Sequence, residues 1–107
     1  MKSDSVYISQ MLDSVQKIQS FTQGLDRSSF ATDPKTQSAV IMQLLLIGEV
    51  AKKISEETKK KIDLPWKDIV GFRDRAIHNY FEIDLDVVWD TTVSDIPELA
   101  EKLKGVV

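Results

Sequence analysis

From Ala39 to Ile47 the chain reads Ala-Val-Ile-Met-Gln-Leu-Leu-Leu-Ile, apolar but for Gln43. The run sits inside a helix that Asp33-Pro34 opens, with an N-cap residue followed by proline at the first helical position. A helix that is apolar nearly all round must touch neighbours on several sides. The run is also far too short to cross a membrane. Residues 34 to about Lys59 or Lys60 are therefore expected to form the central helix of a helical bundle. Past Gly48 this helix turns amphipathic, with Val50, Ala51 and Ile54 inward and Lys52, Lys53, Glu56 and Glu57 outward.

The remaining segments supply the neighbours. Ser3 or Asp4 can cap a first helix whose apolar residues Ile8, Met11, Leu12, Val15, Ile18 and Phe21 recur at three- and four-residue steps. That helix runs to about Gln23, with Gly24 as its stop. Residues 26–30 form a short helical turn that tucks Phe30 under the bundle. A third main helix starts near Pro65-Trp66, buries Trp66, Ile69, Val70 and Phe72, and ends near Tyr80. Asp84 caps a fourth, with a stripe through Leu85, Val88, Trp89, Thr92, Ile96, Leu99 and Leu103. Pro97 should kink it near Ser94 or Asp95, unless Asp95 and Glu98 restart a separate helix with a capping box. No segment alternates with period two. The expected fold is an all-α up-and-down bundle of four main helices in one domain, residues 1–107.

Charge narrows the function classes. Residues 50–80 carry eight basic and five acidic groups, whereas residues 81–107 carry two basic and seven acidic. The middle third alone favours a polyanion, and its excess is too small for strong non-specific nucleic-acid binding. Lys59-Lys60-Lys61 falls at a helix C-terminus, where cations complement the helix dipole, and reads as a solvated end rather than an RNA patch. Cysteine is absent, so disulfides and thiolate metal sites are excluded. The N-terminal residues lack the apolar core of a signal peptide, so the expected compartment is the cytoplasm. There is no glycine-rich phosphate loop, nucleophile elbow or histidine pair, and Asp84, Asp86 and Asp90 read as caps and solvated positions; no metal site is expected.

One stretch remains that could carry chemistry: Arg73-Asp74-Arg75-Ala76-Ile77-His78-Asn79-Tyr80, which holds the only histidine. On a helix extended to Tyr80, Arg73 and Tyr80 fall near one line and Asp74 and His78 near the next. A strip bearing a guanidinium, a carboxylate, an imidazole and a phenol is expected, with Ile77 adding apolar surface. Cleavage of RNA by its own 2′-hydroxyl needs a proton acceptor, a proton donor and positive charge at the phosphorane. Imidazole can move either proton and arginine can grip phosphate oxygens. One histidine cannot easily do both in one step, so a two-fold dimer would be the active unit. In a purely structural alternative, His78 packs at a helix end, Arg73 pairs with Asp74 or Glu49, and Tyr80 is half-buried.

Arg73-x4-His78-x-Tyr80, followed by Phe81-Glu82-Ile83-Asp84-Leu85-Asp86-Val87-Val88-Trp89, resembles the signature of HepT-like proteins of the HEPN superfamily. The resemblance extends through Lys35-Thr36-Gln37-Ser38-Ala39-Val40, Ile47-Gly48-Glu49-Val50-Ala51-Lys52, Leu64-Pro65-Trp66 and Asp95-Ile96-Pro97-Glu98-Leu99. It implies a dimeric helical toxin of a type VII toxin–antitoxin pair: a metal-independent, cofactor-free endoribonuclease with Arg73 and His78 catalytic. It also implies a nucleotidyltransferase antitoxin of the MntA type that transfers AMP from ATP to Tyr80, in a complex that can be a larger hetero-oligomer. The residue after the arginine is usually asparagine in such proteins; here it is Asp74, a supporting residue able to neutralise Arg73 or favour protonated His78. A modified Tyr80 on the Arg73 line would place its phosphate on that guanidinium. The competing readings are a non-catalytic adaptor that docks the nucleotidyltransferase and a small nucleotide-binding bundle.

Overall fold

A computed structural model describes residues 3–106, and no strand occurs among the described residues. Helix α1, Asp4–Thr22, buries Ile8, Met11, Val15 and Ile18 and ends before Gly24, whose φ of 80° is the left-handed conformation that glycine adopts without strain. The stripe stops short of Phe21, which is exposed. Helix α2, Arg27–Ala31, is a single capped turn in which Asp26 and Ser29 bond each other's backbone. It drives Phe30 into the core against the Trp89 ring, with ring centroids 5.2 Å apart. Gly24 and the Asp26 box thus turn the chain from α1 into the next long helix.

Helix α3, Pro34–Ala51, starts as its sequence requires, with the Asp33 carboxylate accepting from the Thr36 amide and Pro34 in the first turn. It packs on α1 along one side and α5 along another, so it is the central helix. Its end differs from the expectation of one helix to Lys59 or Lys60. The chain leaves α3 after Ala51, turns through Lys52–Ile54, and restarts as α4, Glu56–Lys61. The cause is a long-range clamp. Asp4 accepts from the Ser55 amide at 3.1 Å and from the Ser55 and Thr58 hydroxyls at 2.5 Å each, while Ser55 Oγ caps the Thr58 amide. Asp4 is thereby committed to α4, and Ser3 stands at the α1 N-cap with its hydroxyl bonded to that of Ser5 rather than to a helix amide. Ile54 in the turn and Ile62 after α4 both reach the core.

Helix α5, Trp66–His78, lies along α3. It ends two residues before the expected Tyr80, because Asn79 (φ −139°, ψ 51°) leaves helical geometry and Tyr80–Glu82 form a separate 3₁₀ turn. Asp84 then caps α6, Leu85–Asp90, through the Asp86 amide. A π-helical turn, Thr91–Asp95, joins α6 to α7, Ile96–Lys104. Proline at 97 has no amide to give the Val93 carbonyl, and the wider turn before it absorbs that lost bond without breaking the helix. Asp95 stays in helical geometry and forms no capping box, so the helix does not restart there. Its inner stripe is buried at Val88, Trp89, Thr92, Ile96, Leu99 and Leu103. Helices α1, α3, α5 and the α6–α7 unit are the four main helices. No helix is long and apolar enough to cross a membrane.

Candidate functional site

The site begins at a glycine. A Cβ placed on Gly48 would lie 2.5 Å from Arg73 Cβ and 2.7 Å from the Ile69 carbonyl oxygen. Only glycine lets α3 and α5 cross this closely. The crossing brings Arg73 beside the residue that follows Gly48. Arg73 Nε donates to Glu49 Oε2 at 2.7 Å, and Arg73 Nη1 donates to Asp74 Oδ1 at 2.8 Å. The guanidinium, with its side chain 20% exposed, is held in a defined orientation by two carboxylates.

The electrostatics follow from this double pairing. The Arg73 hydrogen bond holds Asp74 below the ordinary carboxylate range, and the same cause holds Glu49 low. Arg73 is correspondingly raised, by Asp74 first and Glu49 second. The positive charge of Lys52 reaches both carboxylates, that of Lys53 reaches Glu49, and that of His78 reaches Asp74. A guanidinium has five N–H donors, so three remain for a ligand after these two bonds.

The expectation of one narrow strip needs correction. Arg73 and His78 are five residues apart, about 140° around a helix. Arg73 leans toward α3, whereas His78 is exposed at the C-terminal end of α5. Asp74 links them, bonded to Arg73 and within electrostatic reach of His78. Tyr80 lies outside α5 and does not share the Arg73 line. Its hydroxyl stands 3.5 Å from Ser38 Oγ, in the first half of α3. Ser38 and Glu49 are separated by about 17 Å along that helix. A phosphate on Tyr80 would therefore not reach the guanidinium of its own chain along a common helix line. The phenol is nonetheless exposed, at the same end of α5 as His78.

The structure thus unites Arg73, Asp74 and Glu49 by contact, leaves His78 exposed beside them, and sets Tyr80 apart. Glu49 was visible in the sequence only as one possible partner for Arg73. The stronger signal was its neighbour, since glycine inside an otherwise apolar helix marks a close helix crossing.

The residues that build this geometry fall within a stretch that is similar to known proteins. A family described as Ribonuclease HepT-like matches residues 11–106. The chain belongs to the HepT-like family. A Thermococcus cleftensis protein named "Probable ribonuclease HepT" is 36% identical over 104 residues, covering 96% of this chain and 94% of that protein. A protein of Caldanaerobacter subterraneus subsp. tengcongensis, provisionally named an RNase, is 32% identical over 107 residues, covering 99% of this chain and 96% of its own. A Methanocaldococcus jannaschii protein with the same provisional naming is 31% identical over 107 residues, covering 99% of this chain and 88% of its own. No solved structure matches. In this HepT-like chain, the segment that holds the pinned guanidinium and the exposed imidazole lies wholly within the matched residues.

Proposed function

We propose that this HepT-like protein is a metal-independent endoribonuclease, the toxin of a type VII toxin–antitoxin pair, active as a homodimer. The observation that carries the reading is the Arg73 guanidinium, pinned by Glu49 and Asp74 with three donors left, beside an exposed His78. Those donors suit the non-bridging oxygens of a scissile phosphate as its charge builds. In a two-fold dimer one His78 takes the proton of the 2′-hydroxyl as its oxygen attacks phosphorus. The second His78 protonates the departing 5′-oxygen, leaving a cyclic phosphate. Exposed apolar side chains support a self-association surface around this end of the bundle. Met42 and Leu46 lie one turn apart on α3, Ile77 lies in the last turn of α5, and Phe81, 99% exposed, lies in the 3₁₀ turn that follows.

Control is assigned to Tyr80. Its hydroxyl attacks the α-phosphorus of ATP on a nucleotidyltransferase antitoxin, pyrophosphate leaves, and the phenolic proton passes to a base of the transferase. The added AMP brings bulk and negative charge to the end of α5 that carries His78, and it acts by obstructing RNA there rather than by pairing with Arg73 of the same chain.

The test is cleavage of RNA by purified protein in excess chelator. Wild type should cut, and His78→Ala should not, with an unchanged circular-dichroism spectrum. Retained metal-free cleavage in that variant would overturn the role of His78. The adaptor reading draws on a different observation: Arg73 is already matched by two carboxylates. It predicts a stable complex with the nucleotidyltransferase and no RNA turnover by either form.

A further inference from the structure

Arg73, Glu49 and Asp74 together carry a net negative charge, which is unfavourable for a polyanionic substrate. The surrounding cations reverse it. Lys52 and Lys53 are exposed in the turn after α3, and their charges reach the two carboxylates. Neither has a carboxylate partner among the described residues, and the same is true of Lys60 and Lys67. The acidic groups of α4, by contrast, are taken: Glu56 pairs with Lys59 and Glu57 with Lys61, each at 3.7 Å. Lys59 and Lys61 are thus paired within α4, and Lys60, exposed in the same last turn, is not.

The placement of these cations is directional. Lys67 and His78 are eleven residues apart on α5, so they face the same way, separated by about 17 Å along the axis. Lys67 and Lys60 line one shallow depression of about 350 Å³, together with Trp66, Val70 and the paired Lys59 and Glu56. The Trp66 ring is pinned there by its Nε1, which donates to the Lys59 and Ile62 carbonyls at 3.1 Å each. The Lys59 ammonium lies over this ring, 5.9 Å from its centre, so a base that stacks on Trp66 shares the ring with Lys59 while its phosphates meet Lys60 and Lys67. Helices α6 and α7 lie along the flank of α5 that carries Asp68, Phe72 and Arg75, and residues 81–107, with seven acidic and two basic groups, disfavour the same ligand.

We propose that Lys52, Lys53, Lys67 and Lys60 form a track that binds one flank of a single-stranded RNA, running from Arg73 along α5 to the Trp66 depression. The proposal rests on the ribonuclease reading for its biological substrate, but the track is a binding surface that can be tested without cleavage. It assigns substrate affinity to residues remote from the reacting phosphate. Structured duplex RNA, whose phosphates do not present bases to a ring, binds less well.

The experiment measures fluorescence anisotropy of a labelled, 2′-O-methylated RNA dodecamer, which cannot be cut, across a salt series. Each phosphate contact on a single strand contributes about 0.7 to the slope of log affinity against log salt. Lys60→Ser/Lys67→Ser and Lys52→Ser/Lys53→Ser should each lower that slope by about 1.4. Lys104→Ser, on the acidic face, should leave it unchanged. In steady-state cleavage of an unmodified dodecamer, the Lys60/Lys67 variant should raise KM roughly tenfold at constant kcat. An unchanged slope in both double variants, or an equal change in the Lys104 control, overturns the track. So does a loss confined to kcat. If wild type cuts no RNA yet the slopes fall as stated, the track stands and the ribonuclease reading fails. If wild type cuts RNA and the slopes do not move, the reverse holds.

Discussion

Arg73 Nε and Glu49 Oε2 are 2.7 Å apart across the α3–α5 crossing, a bond between residues 24 positions apart in sequence. It fixes the direction in which the guanidinium presents its remaining donors. Glu49 is thus a positioning residue for the proposed chemistry. Glu49→Ala should lower kcat by roughly ten- to a hundredfold, the scale of a misplaced catalytic group, with little change in the folded state. Glu49→Gln, which keeps an oxygen to accept the Nε–H, should recover most of the loss. Equal damage from both substitutions would mean that the negative charge of Glu49, rather than its placement of Arg73, is what matters.

Gly48 makes that bond possible. Gly48→Ala puts a methyl group 2.5 Å from Arg73 Cβ and 2.7 Å from the Ile69 oxygen, and neither is the free end of a flexible chain. The helices must separate, at a cost of about 1–3 kcal/mol. Thermal unfolding should show Tm lowered by roughly 5–15 °C. Cleavage should fall further than the loss of folded protein explains, because Arg73 moves with α5.

Acid should release the guanidinium late. Glu49 and Asp74 are both held below their ordinary values of 4.5 and 3.8, by hydrogen bonding to Arg73. A carboxylate lowered in the folded state contributes its stabilisation above its ordinary pKa and loses it as pH falls through the folded value. The Arg73 Nε–H resonance, which reports on Glu49, should therefore shift with a midpoint below 4.5 when followed by NMR. Movement centred at or above 4.5 would show that the pairing does not persist in solution.

Tyr80 should be separable from both folding and cleavage. Its ring is 43% exposed and its hydroxyl makes one long contact, 3.5 Å to Ser38 Oγ. Tyr80→Phe should change stability by no more than about 0.5 kcal/mol and leave RNA cleavage intact. Incubated with ATP and a cognate nucleotidyltransferase, it should gain no AMP by intact mass, while wild type does. AMP added to the Phe variant would place the modification elsewhere.

Much of this could be read in the residues alone. The all-round apolar run at Ala39–Ile47, the Asp33-Pro34 start and the Gly24 stop act over one or two helical turns, and each sits where local rules require. The same is true of the Asp84 cap. The division of α3 from α4 was not legible, because Lys52–Lys61 has good local helix propensity and the deciding partner, Asp4, is 51 residues from Ser55. Phe21 followed the apolar spacing of α1 but lies beyond the reach of its neighbours, so its burial depended on packing that spacing cannot report.

The sequence by itself determined the four-helix architecture and singled out Arg73, His78 and Tyr80, since helix period, caps and motif spacing are properties of short stretches. Tertiary structure decided how those three residues are arranged. Asn79 ends α5 and detaches Tyr80 from the helical line, Gly48 admits Arg73 to Glu49, and the turn at Lys52–Ile54 brings two lysines beside the site. Each of these depends on which helix lies next to which, and local periodicity carries no information about that.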